Sequence, residues 1–220
     1  MRVVVACSSS SHPVYPYLER WVANTDPKGH EVSLVNRVDE LPDSGDLLFL
    51  VSFGQIIGRE YIDRFQKALV LHCSDLPRGR GWSPHIWEVL RGADHLTLSL
   101  LEAADRADVG DIWKKQVIPL DGTELYDEIN AKLFQAEIEL MDYAVENFAT
   151  VSPQAQPELD EELEYYQKRT PADSEIDPSR VLADQFDLLR VCDPQRFPAF
   201  FDFRGARYLL RIEKAESDEA

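Results

Sequence analysis

Length, composition and charge exclude several classes of protein. The chain has 220 residues, of which 44% are hydrophobic, so it can bury a substantial core and is not disordered as a whole. No run approaches the roughly 20 apolar residues of a membrane span, and no secretory leader opens the chain. Forty acidic against 23 basic residues give a net charge of −17. This argues against a nucleic-acid partner, because such proteins neutralise phosphates with clustered Lys and Arg.

The cysteines indicate the cellular compartment. Cys7, Cys73 and Cys192 cannot all pair with one another, and their spacing fits no metal site. We therefore expect a cytoplasmic protein in a reducing environment, without a metal ion and without membrane attachment.

Strands and helices alternate along the first 150 residues. Residues 3–6 form a continuous apolar run typical of a buried parallel strand, and residues 14–24 follow as an amphipathic helix. Further strands are predicted at residues 31–35, 46–53, 68–71, 96–101 and 112–118. Further helices are predicted at residues 84–91 and 125–148, and residues 54–57 lead into another that runs to about residue 67. This alternation predicts an α/β fold with a Rossmann-like open twisted sheet.

The composition changes near residue 150. Residues 151–164 are rich in Pro, Gln and acid, with an acidic run at Glu158, Asp160, Glu161, Glu162 and Glu164, and we interpret them as a solvated linker. Beyond the linker, a short helix is predicted near residues 181–190, and residues 197–203 and 207–212 form a β-hairpin. We therefore expect a domain at 1–150, a linker at 151–164 and a small C-terminal helix and hairpin region at 165–220.

Three loops are candidates for a binding site, because doubly wound sheets bind ligands beyond the carboxyl ends of their strands. They are residues 7–13, 53–57 and 72–84. The first loop lacks a Gly-x-Gly-x-x-Gly signature, and its serines, Ser9 among them, either bind a phosphate or only cap the next helix. The third loop is the most informative, since residues 71–85 hold two each of His, Arg, Gly and Pro.

A histidine motif and an aspartate turn carry the most specific pattern, with 36 residues from His72 to Asp108. The motif comprises His72, Ser74, Leu76, Pro77, Arg80 and Gly81, and the turn comprises Asp108 and Gly110. Together they resemble the folate-dependent formyltransferases, whose hallmark is Asn-x-His-x-Ser-x-Leu-Pro followed by Arg-Gly and a later Asp-x-Gly turn. Residues 52–57, 120–125 and 169–174 are also similar to family segments. At the family's asparagine position this chain has Val70.

The resemblance implies roles for individual residues. His72 and Asp108 would be catalytic: the charged imidazole stabilises the oxyanion of a tetrahedral intermediate, and the carboxylate orients it and orders a water. The co-substrate would be 10-formyltetrahydrofolate, with no metal, held at Phe53, Gly54, Gln55, Ile56, Glu102 and Ala104. The acceptor would contact Ser9, Ser74, Arg78, Arg80, Trp82, His85 and Arg169. Taken singly, these residues also fit structural roles, such as solvated charges at Arg78 and Arg80 or a salt bridge at Arg169.

Within the family, the sugar-nucleotide N-formyltransferases are the most similar branch. The motif around residues 74–87 resembles enzymes acting on pseudaminic-acid-type amino sugars, which implies a UDP-linked 4-amino-4,6-dideoxy-N-acetyl sugar as acceptor and a role in surface glycan biosynthesis. The alternatives are a methionyl-tRNA or phosphoribosylglycinamide formyltransferase, a formyl-group hydrolase and, because of Val70, a non-catalytic folate- or nucleotide-binding homologue. The hairpin's apolar residues 200–203 predict a homodimer.

Overall fold

The computed structural model describes residues 1–26, 29–160 and 163–215. Its strands are β1 (Arg2–Ala6), β2 (Glu31–Val35), β3 (Gly45–Leu50), β4 (Phe65–His72), β5 (Arg80–Gly81), β6 (His95–Glu102), β7 (Ile112–Pro119), β8 (Tyr165–Tyr166), β9 (Ala199–Phe203) and β10 (Ala206–Leu210). Its α-helices are α1 (Tyr15–Thr25), α2 (Arg59–Ile62), α3 (Pro84–Leu90), α4 (Tyr126–Asn147) and α5 (Phe186–Arg190). Glu161 and Glu162 of the predicted acidic run lie outside the described residues.

A six-stranded sheet in the order β2-β1-β3-β4-β6-β7 forms the centre of the fold. The first four strands in that order are parallel, whereas β6 and β7 are antiparallel to their neighbours. This mixed α/β architecture confirms the predicted open sheet. The carboxyl ends of the parallel strands lie along one edge of the sheet, as in other doubly wound folds, and β4 ends there at His72.

Both faces of the sheet are buried, which explains the continuous apolar runs in the strands. On one face Val3, Val5 and Phe49 pack under α1 and α4, where Trp21 meets Phe49 edge-on at a centroid distance of 5.8 Å. On the other face Val4, Ala6, Leu48 and Ala68 form a smaller apolar cluster. Among the described residues, no helix combines the length and apolarity needed to cross a membrane.

The helix predicted to follow residues 54–57 and run to about residue 67 is much shorter in the structure. Strand β3 ends at Leu50, before the predicted residue 53, because Ser52 adopts a left-handed φ of 47° and turns the chain. Only the four residues of α2 are helical, and β4 already begins at Phe65, which is buried in the smaller cluster. The predicted helix near residues 181–190 is also divided, into a 3-10 turn at Leu182–Gln185 and α5.

The C-terminal region packs closely against the sheet domain. Strand β8 pairs in parallel with β5, and the buried Tyr166 ring stacks on Trp87 at a centroid distance of 5.9 Å. Further along, the Arg190 side chain is 2% exposed and lies 3.7 Å from the buried Glu124 carboxylate at the start of α4. Strands β9 and β10 form the predicted hairpin.

One buried acid makes stability depend on pH. Glu137 on α4 is 5% exposed, its Oε2 has no hydrogen-bond partner, and burial raises its pKa from 4.5 to about 8. Between these two values the folded chain keeps a proton that the unfolded chain releases. Stability therefore falls as pH rises through this window, by up to about 1.4 kcal/mol per pH unit.

We expect Glu137→Gln to remove this pH dependence. Because the amide cannot ionise, the variant's melting temperature should exceed that of the wild type by a margin that grows from pH 5 to pH 8. Glu139→Gln is the control, since Glu139 is an exposed carboxylate on the same helix. Scanning calorimetry across this pH range measures the effect, and a margin that stays constant with pH would contradict the assignment.

Candidate active site

His72 and Asp108, which the sequence motifs pair, face each other in the structure. The His72 imidazole is 8% exposed, with Nδ1 3.4 Å from Asp108 Oδ1 and Nε2 3.0 Å from the carbonyl oxygen of Gly79. Both ring nitrogens therefore face acceptor oxygens, and only the doubly protonated imidazolium can donate to both. The ring is poised as a hydrogen-bond donor at the carboxyl end of β4.

A tight turn delivers the Asp108 carboxylate to the histidine. Asp108 adopts a left-handed φ of 60°, and its Oδ2 accepts a hydrogen bond from the backbone N–H of Gly81 at 3.1 Å. Two residues later the chain passes so close to the end of β6 that a Cβ on Gly110 would lie 1.8 Å from the carbonyl oxygen of Glu102. Glycine is therefore required for this turn.

The loop after His72 is held from several sides. Gly79 and Gly81 have positive φ angles of 69° and 108°, and a Cβ on Gly81 would lie 2.3 Å from the Tyr166 carbonyl oxygen. The Ser99 hydroxyl donates to the Ser74 carbonyl at 2.7 Å, and Lys115 Nζ donates to the Leu76 carbonyl at 2.6 Å. The loop is thus a preformed wall of the site.

Val70, at the position of the family's asparagine, lies in an apolar part of the sheet. It stands two residues before His72 on β4, paired with Leu50 of β3 on one side and Leu101 of β6 on the other. Neither neighbour offers a polar group, so its sheet partners supply no substitute for the amide.

The predicted folate-side residues fall into two groups. The backbone N–H of Gly54 donates a hydrogen bond to the Ser8 hydroxyl at 2.8 Å, and Phe53 packs against the smaller apolar cluster. The Gln55 side chain instead bonds to the backbone at Val38 and Asn36, and Ile56 is 96% exposed.

A second loop faces the first across this cluster. Ala103 packs against it and Ala104 is half-buried, whereas the Glu102 carboxylate is occupied by Lys67 at 2.6 Å and Trp113 at 3.0 Å. An ion pair of 2.6 Å between Arg59 and Asp105 joins the two loops. The side chains of Gln55 and Glu102 are therefore used within the protein.

The predicted acceptor-side residues differ in their exposure and in their partners. Trp82 is 41% exposed with Lys168 Nζ 4.7 Å from its ring centroid, and Arg78 is exposed nearby in sequence. Ser74 is 2% exposed and its hydroxyl has no partner in the described structure. Ser9 bonds to Ser11 within its own loop at 2.8 Å.

Two further histidines, His85 and His12, are neutral at pH 7 because their pKa values are lowered. Burial, followed by the charges of His12, His72 and Arg169, lowers the pKa of His85 to about 4. Burial and the charge of Arg196 lower the pKa of His12 to about 4.

Arg169, another predicted acceptor-side residue, is bonded within its own segment: its Nη2 donates to the Asp173 carbonyl at 2.6 Å.

Gln156 is a site residue that the sequence analysis missed. It lies in the predicted linker, yet its amide reaches both the Asp108 turn and Arg80, with bonds of 2.9 to 3.0 Å. A glutamine in a stretch rich in Pro and Gln has no periodicity or motif that would have revealed this role.

Comparison with known proteins identifies the family. Residues 9–145, more than half of the chain, match the family model described as formyl transferase. The chain belongs to the formyl transferase family. The methionyl-tRNA formyltransferase of Finegoldia magna is 30% identical over 104 residues, which cover 47% of this chain and 34% of that protein. That of Mycoplasma genitalium is 34% identical over 100 residues, covering 45% and 31%. The match thus spans about a third of these curated relatives.

Solved structures share the fold over nearly the whole chain. A methionyl-tRNA formyltransferase from Clostridium thermocellum superposes with a TM-score of 0.81 at 22% identity, covering 100% of this chain and 95% of that one. HypX from Aquifex aeolicus in complex with tetrahydrofolic acid gives 0.75 at 21%, covering 96% and 37%. A sugar N-formyltransferase from a Shewanella species gives 0.73 at 16%, covering 98% and 99%. At these identities the likeness establishes the fold.

The Gly110 contact leads to a stability prediction. Gly110→Ala forces a methyl group against the Glu102 carbonyl, and we expect it to cost about 1–3 kcal/mol of unfolding free energy. Gly54→Ala is the control, since its Cβ would meet only the Trp82 ring at an ordinary 3.7 Å. Urea unfolding of both variants measures the difference, and equal stabilities would show that the turn can relax.

Proposed function

We propose that this protein transfers a formyl group from 10-formyltetrahydrofolate to the amine of a nucleotide-linked amino sugar. The observation that carries the proposal is the His72 imidazole, sheltered from water and aligned by Asp108 at 3.4 Å. A donor preorganised in such a site stabilises negative charge as it develops on a carbonyl oxygen. Membership of the formyl transferase family supports the same chemistry.

The reaction follows from these groups. The amine attacks the formyl carbon, the formyl oxygen takes up negative charge, and the oxygen replaces the Gly79 carbonyl as acceptor for His72 Nε2. Collapse of the tetrahedral intermediate breaks the bond to N10 of the folate. A water ordered by the Asp108 carboxylate carries the proton lost by the amine to N10, so that tetrahydrofolate leaves neutral at that nitrogen.

The two loops on the folate side fit a flat apolar ring system. Phe53, Ile57, Tyr61 and Ala103 line one continuous apolar cluster beside the site. The polar edge of a pterin would bind backbone groups of these loops, since the Gln55 and Glu102 side chains are bonded within the protein. The solved relative that holds tetrahydrofolic acid shares this fold and supports the assignment.

The mouth of the site favours a small anionic acceptor. Trp82, with Lys168 over its ring, offers an aromatic surface and positive charge suited to a nucleotide base and phosphates, with Arg78 on the same loop. The chain as a whole carries a net charge of −17, which disfavours the long polyanion that methionyl-tRNA formyltransferases use. A cytoplasmic enzyme acting on a sugar nucleotide fits both observations.

The identity proposed for the acceptor sugar rests on the resemblance of residues 74–87 to one group of amino-sugar formyltransferases. It points to a UDP-linked 4-amino-4,6-dideoxy-N-acetyl sugar of the pseudaminic-acid type and to surface glycan biosynthesis. Incubation with 10-formyltetrahydrofolate and a panel of UDP- and dTDP-linked amino sugars, with initiator methionyl-tRNA and glycinamide ribonucleotide alongside, tests it by mass spectrometry. We expect a gain of one formyl group on a sugar nucleotide, and formylation of the tRNA alone would overturn the acceptor.

A non-catalytic binding protein is the second candidate, favoured by Val70. That reading predicts saturable folate binding with no product from any acceptor in the panel. Product formation on any of them excludes it.

His72→Ala and Asp108→Ala should each lower kcat by at least about 100-fold, because each removes part of the oxyanion-stabilising pair. His95 and Asp94 form a matched control, an exposed His–Asp pair with a separation of 2.6 Å outside the site. His95→Ala should retain wild-type turnover. Steady-state kinetics with circular dichroism as a folding check makes the measurement, and near-wild-type kcat in either site variant would remove the mechanism.

We also propose that the hairpin holds a second copy of this chain. Phe203, Tyr208 and Leu209 are 50%, 47% and 58% exposed there, whereas Ala199 at the start of β9 is 2% exposed. Leu209→Glu should convert a dimer of twice 25.2 kDa into a monomer by light scattering. Val117→Glu, which alters an equally exposed residue on β7, should leave it dimeric. A monomeric wild type at micromolar concentration would refute the interface.

A further inference from the structure

We propose that Gln156 is a positioning residue that sets the Asp108 carboxylate against His72; the inference rests on the proposed function. Gln156 Nε2 donates to the carbonyl oxygens of Asp108 and Gly110, both at 2.9 Å. Its Oε1 accepts a hydrogen bond from Arg80 Nη2 at 3.0 Å. One side chain therefore joins the aspartate turn to the loop that carries Arg80.

The three bonds require a neutral primary amide. Two N–H groups of one nitrogen meet two carbonyl oxygens, and the amide oxygen meets a cationic donor. A glutamate at this position would keep the contact with Arg80 but direct an oxygen at the two carbonyls. An asparagine would be one methylene too short to keep all three bonds. Glutamine is thus the side chain that satisfies both loops at once.

The backbone on both sides of Gln156 is fixed to the same two loops. Upstream, Gln154 and Ile112 exchange backbone hydrogen bonds of 2.7 and 2.8 Å, next to the aspartate turn. Downstream, β8 pairs with β5 and the Trp82 N–H donates to the Tyr166 carbonyl at 3.0 Å. The amide of Gln156 therefore approaches the site from a segment anchored at both ends.

The contact bears on the orientation of the Asp108 carboxylate. Asp108 has a left-handed φ of 60°, a conformation that surrounding contacts must hold in place. The two carbonyls flanking its turn bind Gln156, and the carboxylate itself binds Gly81 N–H and faces His72. Removing the amide frees the turn, so the carboxylate no longer holds a single position against the imidazole.

Kinetics of matched variants test the proposal. We expect Gln156→Ala to lower kcat by about 10- to 100-fold with little change in KM for either substrate, as for a misplaced catalytic group. Gln156→Glu should lower it at least as much, although it keeps the side chain's size and the Arg80 contact. Gln154→Ala is the control, because Gln154 reaches this region through its backbone alone and its side chain is exposed.

A second readout does not depend on activity. The Gly81 amide proton, held by the Asp108 carboxylate, should exchange with solvent faster in Gln156→Ala than in the wild type. Exchange in the middle of β6 should not change. In Asp108→Ala, further replacement of Gln156 by Ala should lower any residual turnover by less than two-fold, because the group it positions is gone.

The outcomes distinguish a failure of the role proposed for Gln156 from a failure of the proposed reaction. Unchanged Gly81 exchange, or unchanged kcat in an active enzyme, overturns the role of Gln156 and leaves the proposed reaction intact. Faster Gly81 exchange in a protein that formylates nothing supports the positioning of Asp108 and refutes the proposed reaction. A loss of kcat that is fully additive with Asp108→Ala assigns Gln156 a separate structural role and overturns the inference.

Discussion

The contact between the His72 imidazole and the Asp108 carboxylate is the constraint on which the rest of the site depends. The two side chains are 8% and 11% exposed, and groups so sheltered from water are stable only with polar partners around them. The Gly79 carbonyl supplies the partner on the far side of the ring, and the Gly81 N–H supplies it for the carboxylate. Both partners belong to one loop, so the backbone of that glycine-rich loop holds both side chains in position.

The other two histidines of this region add no positive charge to it. Because the pKa values of His12 and His85 are both lowered to about 4, these rings are uncharged at neutral pH. Of the three rings, His72 is the one with a described carboxylate oxygen beside it, Asp108 Oδ1 at 3.4 Å.

The sheet strands could be predicted from local pattern, whereas the pairing of His72 with Asp108 came from the resemblance of two motifs to one family. Continuous apolar runs identify buried strands, and unusual spacings of His, Arg, Gly and Pro mark a shaped loop. The strand expected to reach residue 53 ends at Leu50, because a single left-handed residue, Ser52, redirects the chain without any compositional signal. Gln156 escaped detection for a related reason: its partners are 76 and 48 residues away, and hydrogen bonds of a lone amide leave no periodic trace.

The pairing of β5 with β8 has a consequence for the order of folding. It joins Arg80 to Tyr165 and Gly81 to Tyr166, residues far apart in the chain, and contacts of such long range form late because they close large loops. On the ribosome, the sheet through β7 can assemble while these partners are still inside the exit tunnel. The sheet would then form well before the loop that carries β5 is fixed by β8. A partly synthesised chain would be folded but inactive.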